Sequence, residues 1–530
     1  MPKKVRGLRG EQYEQAKHEA LRGEAIQIGS DVARMMDQVL ECLEASPAAN
    51  VYQANGQLVR IAEQRELRRQ SAAIKRQQIT KVVSPHSRDS LPEALARAGV
   101  HFEKWNAKEK EYKPTMPPRE LISALLAAQS YPKVPPLQGI VGAPVMRSDG
   151  SIFATPGYDP NTALYFFDDD EIAWELPNKP ELVDARAAVW RIIDIFETLP
   201  FSTDGDRSVF LAALMTPFIR HLVVSAPLFA VSASTSGTGK SMICDIPSLI
   251  FTGQRAAMMP PPATHEEADK LLFSALLAKD SIVVLDNVDH PLESNSLCTY
   301  LTSGSLKQRV LGSNTEVHAK ADLIMFANGN NLALVGDLNN RALSCELSVD
   351  TERPEMRSFD FDLRERVLNN RANLVRDILT IYKAWHLSGC PTPNGLSVFG
   401  RFEHWSRLVR EPLGWVGLND PLETRTRLMI GDPETEKLEA MLTSWHNVYG
   451  SERISVAQIL RELDTDMVSP EMQNLGDALQ DIAGDKVGLN RHRLGKFLAR
   501  NQGRIINGYR ILKKGVSGKV SQWSVELQGV

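Results

Sequence analysis

Residues 228–241 read Leu-Phe-Ala-Val-Ser-Ala-Ser-Thr-Ser-Gly-Thr-Gly-Lys-Ser, an apolar run of strand type that flows into a glycine-rich turn and ends at Gly239-Lys240-Ser241. A phosphate cradle is built this way. Small residues let backbone N–H groups face a β-phosphate, a lysine neutralises β/γ oxygens, and a hydroxyl ligates Mg²⁺. Ser236, Gly237, Thr238, Gly239, Lys240 and Ser241 are the residues assigned here to nucleotide binding, with ATP and Mg²⁺ as expected cofactors. Ser234 stands where the opening glycine of G-x-x-x-x-G-K-[ST] is expected, which is tolerable where that residue only ends the strand. The helix-compatible segment from Met242 to Ile246 completes a strand, loop and helix, so an α/β core is expected.

Further along, Ser281-Ile-Val-Val-Leu-Asp286 is a short apolar run ending in a carboxylate, the pattern of a buried parallel strand that carries a metal-side acid. Asp286 and Ser241 are therefore the expected Mg²⁺ partners. The chain continues Asp286-Asn287-Val288-Asp289, which leaves the base open among Asp289, Glu266 and Glu267, the last two beside Thr264 in a helix-cap pattern. A third strand, Asp322 to Ala327, runs into Asn328-Gly-Asn330-Asn331, and Gly336-Asp-Leu-Asn-Asn-Arg341 follows. Polar amides there suit a residue that orients attacking water. An arginine at position 341 suits stabilisation of transition-state charge from a neighbouring subunit. The plain alternatives are a turn and a solvated ion-pair partner.

With these motifs in this order, the chain resembles AAA+ ATPases and, more narrowly, superfamily 3 helicases of viruses, prophages and plasmids. The resemblance implies Asn330 as sensor and Arg341 as arginine finger, and with Lys240 and Asp286 these are the candidate catalytic residues. Many relatives carry two arginines at the second motif, where this chain has Asn340-Arg341. The stretch from Arg309 to Lys320 reads as a hairpin turning at Gly312-Ser-Asn314. Superfamily 3 helicases hold a DNA-gripping hairpin at this place. Lys307, Arg309, His318 and Lys320 are accordingly candidates for phosphate contact, although exposed edges also carry such residues to prevent aggregation.

Helices are expected near Glu434–Asn447, Ser455–Leu463, Glu471–Ala483 and Arg491–Asn501, followed by strands over 503–512 and 521–527 joined by a loop at 513–519. Helices followed by a hairpin describe a winged helix. From Arg491 onward Arg491, Arg493, Lys496, Arg500, Arg504, Arg510, Lys513, Lys514 and Lys519 face a lone acid, Glu526, which suits a DNA-binding face.

The 530 residues carry a formal net charge of -4, so any nucleic-acid footprint must be local. Five scattered cysteines without C-x-x-C spacing support neither a disulfide framework nor a zinc site. No apolar run approaches a membrane span, and the chain is read as soluble and cytoplasmic, in a bacterium or a phage-infected host. Upstream, a helix is expected over 11–45 and two strands about an Asn55-Gly56 turn. The region before the core resembles the accessory domain of prophage primase-helicases.

The division read from the sequence is a helical and hairpin region at 1–90, an α+β accessory domain at 91–200, an AAA+ P-loop core at 201–390, a linker at 391–432 and a winged-helix domain at 433–530. The expected fold is α/β, a parallel sheet flanked by helices, with those two accessory parts. The function implied is an ATP-dependent DNA helicase or translocase acting as a ring, as a hexamer, in replication of a phage, prophage or plasmid. Its partners would be single-stranded or forked DNA and a replication initiator or primase. The alternative is a DNA-binding AAA+ ATPase that uses ATP as an assembly switch.

Overall fold

Leu228–Ala233, Ile282–Leu285 and Ile324–Asn330 are buried at nearly every position, as strands covered on both faces must be. The computed structural model describes residues 25–44, 50–67, 77–168, 172–262, 264–309, 316–349, 361–430, 433–465, 468–485, 488–517 and 520–527. In it these runs form the centre of a five-stranded sheet in the order Ala257–Met259, Ile282–Leu285, Ile324–Asn330, Leu228–Ala233, Ala342–Leu347. The first four strands pair in parallel, with Phe229 opposite Phe326 and Ala233 opposite Asn330. Two rings stack across that register, Phe229 and Phe326, with centroids 5.1 Å apart.

Chain order and spatial order differ at the strand that enters the phosphate loop. The next strand in sequence, Ala257–Met259, lies at the far edge, while Ile324–Asn330 is the immediate neighbour. Such a crossover opens a crevice outside the carboxyl ends of parallel strands, where ligands of α/β sheets bind.

The flanking helices follow from their caps. The Thr264 hydroxyl accepts the Glu267 N–H at 3.2 Å to start His265–Ala278, as the sequence pattern indicates. Asp204–Met215 gives way to two short 3-10 turns, Thr216–Phe218 and Arg220–Leu222, since Pro217 removes an interior donor. The helices Leu363–Asn369 and Arg371–Leu387 are divided at Asn370. There the Asn370 amide donates to Arg366 O at 2.8 Å, competing with the backbone ladder.

Before the core, the expected helix over 11–45 is corrected within the described residues to Val32–Glu44; positions 11–24 lie outside them. Asp31 Oδ1 accepts the Arg34 N–H at 3.0 Å and starts the helix, and Ile26–Gln27 pairs instead with Phe102–Asn106. The Asn55-Gly56 turn forms with both residues at positive φ, 50° and 73°, joining Tyr52–Ala54 to Gln57–Leu67.

The chain divides into two compact units. The first holds the N-terminal region and the four parallel strands of the sheet; the second comprises 290–293, 332–344 and 423–530. In the second, helices Pro433–Tyr449, Val456–Leu463, Pro470–Ala483 and Arg491–Arg500 pack around Trp445, Ile459, Leu475, Leu494 and Leu498. A sheet in the order Ile454–Ser455, Val520–Leu527, Tyr509–Ser517, Ile505–Ile506 closes this core. The loop expected at 513–519 is corrected here. Pairing continues to Ser517 opposite Val520, with a register shift between Lys513 and Gly515, so Lys513 and Lys514 stand in a strand. The bulge leaves Lys514 without a cross-strand partner, and Gly515 beside it, at φ 127°, resumes the pairing opposite Gln522. Lys519 lies outside the described residues.

Candidate nucleotide-binding site

The phosphate loop leaves its strand at Ala233 and enters the helix Lys240–Thr252 through Gly239. Gly237 and Gly239 sit at φ 75° and 97°, a region that L side chains rarely adopt. A Cβ at Gly239 would meet nothing within 4 Å, so backbone conformation and not crowding is what requires glycine there. Ser236 and Gly237 are exposed and Thr238 is buried.

Lys240 Nζ donates to Thr235 O at 2.8 Å, to Thr238 Oγ1 at 3.3 Å and to Asn330 Oδ1 at 2.7 Å. Partial burial lowers its pKa from the ordinary lysine value. Ser241 Oγ donates to Asp286 Oδ1 at 3.0 Å. Lys240, Ser241, Asp286 and Asn330 therefore converge at the carboxyl ends of three neighbouring parallel strands. A hydroxyl beside a carboxylate oxygen is a hard donor pair, and Mg²⁺ typically takes one or two such groups with phosphates and water completing its shell. The residues present fit that ion. Among the described residues no cluster of three or more His, Cys, Asp or Glu side chains is placed to hold a metal by itself.

Of the amides that follow Ala327, Asn328 as well as Asn330 is central to the site. Asn328 is 2% exposed. Its Nδ2 donates to Asp286 Oδ1 at 2.8 Å, its Oδ1 accepts the Asn287 N–H at 3.0 Å, and its carbonyl accepts the Val288 N–H at 2.7 Å. The segment after Asp286, with Asn287 at φ 60°, is thus laid against the end of Ile324–Asn330. Gly329 permits the approach, because a Cβ there would fall 2.2 Å from Val288 O. The signal was period two: Asn328 and Asn330 occupy one face of a strand that continues through them.

Of the candidate bases, Asp289 is exposed and Glu266 is ion-paired to Lys270 at 2.7 Å, which holds its carboxyl below the usual range. Arg341 belongs to the second unit. It ends the 3-10 turn Gly336–Arg341, its side chain is 8% exposed, and it is ion-paired with Asp337. Neighbouring Asn340 accepts from Arg425 at 2.6 Å.

The hairpin forms from Ser305–Arg309 and Glu316–Lys320; its expected turn at 312–314 lies outside the described residues. Register places Lys307 opposite His318, Arg309 opposite Glu316 and Ser305 opposite Lys320, so positions 307, 309, 318 and 320 share one face of the ladder. Lys307 and Lys320 are exposed. The root is fixed from two sides: Lys320 N–H donates to Asn55 Oδ1 at 3.1 Å, and Lys279 Nζ donates to Lys320 O at 3.1 Å. Burial brings Lys279 down to about 8.

In the second unit Arg491, Arg493, Lys496 and Arg500 are exposed on a helix whose Leu494 and Leu498 enter the core. Asn490 caps that helix by accepting the His492 and Arg493 N–H groups at 3.0 and 3.1 Å. Lys513 is exposed, whereas Lys514 is half-buried and paired with Glu526 at 2.5 Å. Among the described residues no helix is long and apolar enough to cross a membrane.

No family model matches the chain, and no curated protein matches it. Among solved structures, the apo A form of the NrS-1 C-terminal region is similar over 82% of this chain and 98% of its own, at 13% identity and a TM-score of 0.36. SCCmec type IV Cch, an active helicase, is similar over 90% of this chain and 97% of its own, at 10% identity and a TM-score of 0.35.

Proposed function

We propose that the chain is an ATP-driven DNA motor of the superfamily 3 helicase type, an AAA+ ATPase that works as a ring. The supporting observation is the convergence of Lys240, Ser241, Asp286 and Asn330 at the carboxyl ends of adjacent parallel strands, with the Ser241 hydroxyl 3.0 Å from Asp286. Backbone N–H groups of 236–239 and the Lys240 ammonium would take the phosphates; Ser241 and Asp286 would hold Mg²⁺, which supplies neutralising charge on the β/γ oxygens. On triphosphate binding Lys240 exchanges the Asn330 oxygen for phosphate, and the freed Asn330 amide orients water. Arg341 is assigned to the neighbouring subunit's nucleotide, which requires its pair with Asp337 to open.

Under this reading residues 201–390 are the motor, the hairpin carrying Lys307, Arg309, His318 and Lys320 tracks a strand, and 433–530 is a winged-helix-type domain that holds DNA through Arg491, Arg493, Lys496, Arg500, Lys513 and Lys514. A hexameric ring and a role in phage, prophage or plasmid replication belong to the same proposal. The test is strand displacement on a forked duplex. The parent chain separates the strands with ATP and Mg²⁺, and Lys240→Ala does not. Equal unwinding by the two would defeat the motor reading, and DNA-stimulated hydrolysis without displacement would favour the assembly-switch alternative.

A further inference from the structure

The N-terminal region contains a cleft of about 1070 Å³ lined by three tyrosines and two cations and by none of the residues assigned above to nucleotide. Tyr158 and Tyr165 lie directly opposite each other on the antiparallel strands Gly157–Asp159 and Leu164–Phe166. Tyr52 joins them, its ring centroid 5.2 Å from that of Tyr158 at an angle of 41°. Paired in the ladder, Tyr158 and Tyr165 project from the same face of it. Tyr52 is buried and the other two are half-buried against a small core of Val59, Ile61 and Leu137. The Tyr158 hydroxyl donates to Pro136 O at 2.7 Å, which fixes that ring. Burial first, then the neighbouring Tyr165 and Tyr158, push the Tyr52 hydroxyl up to about 12, so it stays protonated.

The charged groups of the cleft lie along the adjoining strands. Arg60 projects from Gln57–Leu67, and its Nε is buried without a hydrogen-bond partner among the described residues. Lys81, opposite Glu63 in the ladder and ion-paired with it, also sits 4.6 Å over the Phe167 ring. Two cations thus face one carboxylate. Rigid aromatic faces that every base can stack on, beside cations for the backbone, are the components of a sequence-tolerant single-strand site. The volume exceeds the roughly 300–1,000 Å³ of small-molecule pockets. Among the described residues no phosphate cradle like that at Gly237–Gly239 accompanies the rings.

We infer that this cleft binds a segment of single-stranded nucleic acid, its bases stacked on Tyr158 and Tyr165 and its phosphates drawn to Arg60 and Lys81. The site is separate from the hydrolytic one and is read without ATP, so its failure and that of the motor reading are distinguishable. It also has a structural link to the motor. The same hairpin that carries Tyr52 and Arg60 presents Asn55 to the main chain of Lys320.

The experiment is photo-crosslinking of the full chain to oligothymidylate carrying 5-iodouracil, without ATP, with adducts located by mass spectrometry. An adduct on Tyr158 or Tyr165 is expected. Tyr165→Phe should preserve the Tyr158 adduct and Tyr165→Leu should reduce it about five-fold or more. Arg60→Gln, which leaves the rings in place, should reduce it as well and serves if Tyr165→Leu fails to fold. Crosslinks confined to other peptides, with the complex formed, overturn the inference. Thymidine monophosphate competing as well as the unlabelled strand overturns it too, since the cleft would then take a free nucleotide.

Discussion

The Asn328 amide donates to Asp286 Oδ1 at 2.8 Å, and the same oxygen accepts the Ser241 hydroxyl at 3.0 Å. One carboxylate oxygen is thus held from the sheet side and from the loop side. Asn328→Ala removes the sheet-side hold without touching nucleotide. Partners of this kind change metal affinity by about 10–100-fold. The Mg²⁺ concentration for half-maximal ATP hydrolysis should rise within that range, while ADP binding without Mg²⁺ stays unchanged. An unchanged Mg²⁺ titration would remove Asn328 from the site.

Arg341 offers a test of subunit sharing. Lys240→Ala and Arg341→Ala should each abolish DNA-stimulated hydrolysis. Mixed and allowed to assemble, they should recover part of it, because one seam of the mixture pairs an intact Lys240 with an intact Arg341. Mixing that restores nothing, with assembly verified, would place the arginine elsewhere in the mechanism.

Gly329→Ala forces a Cβ to within 2.2 Å of Val288 O, a backbone atom that cannot swing aside. The expected cost is about 1–3 kcal/mol of stability, the usual range for overpacking. Thermal unfolding would register it, and activity should fall further than stability because Asp286 shares the displaced segment.

His86 sets an acid limit. Its Nε2 lies 3.3 Å from Asn50 O and must donate there, so Nδ1 accepts from Ser90 Oγ at 3.2 Å. Burial, opposed in part by the Asn50 carbonyl, brings the imidazole to about 4 from an ordinary 6.5. The native state thus binds fewer protons than the unfolded chain between those values. This stabilisation is complete above about pH 6.5 and is lost as pH falls toward 4, on the order of 3 kcal/mol. His86→Gln should flatten the stability profile in that window, measured by denaturant unfolding at several pH values.

The helix Arg491–Arg500 should act through charge alone. Lys496→Ala is expected to weaken duplex binding similarly for every sequence and to reduce the dependence of log affinity on log salt by about one. A slope that does not move would show that Lys496 meets no phosphate.

How much of this was legible in the chain depended on whether a local rule governed it. The phosphate loop, Asp286 and the Asn55-Gly56 turn announce themselves because glycine, lysine and apolar runs encode their own conformations. In sequence Asn328 is one of several amides beyond a strand that ends at Ala327, and an Asn-Gly pair also reads as a turn, whereas tertiary pairing with Leu228–Ala233 draws it into the strand. The break at Asn370 depends on a side chain competing with its own helix, and the extension of Tyr509–Ser517 on a bulge. The tyrosine cleft was invisible for a different reason. Its rings come from positions 52, 158 and 165, which only the folded chain brings together.

The strand that ends at Asn330 begins at Ile324, four residues after the hairpin root at Lys320. Its seven residues span roughly 20 Å at about 3.3 Å each. Paired along both edges, with Leu228–Ala233 on one side and Ile282–Leu285 on the other, it is a stiff spacer that sets the distance between the Asn330 amide, which holds Lys240, and the main chain of the hairpin root. Asn55 and Lys279, which bond the N–H and the carbonyl of Lys320, anchor the near end of that spacer to the N-terminal hairpin and to the helix His265–Ala278.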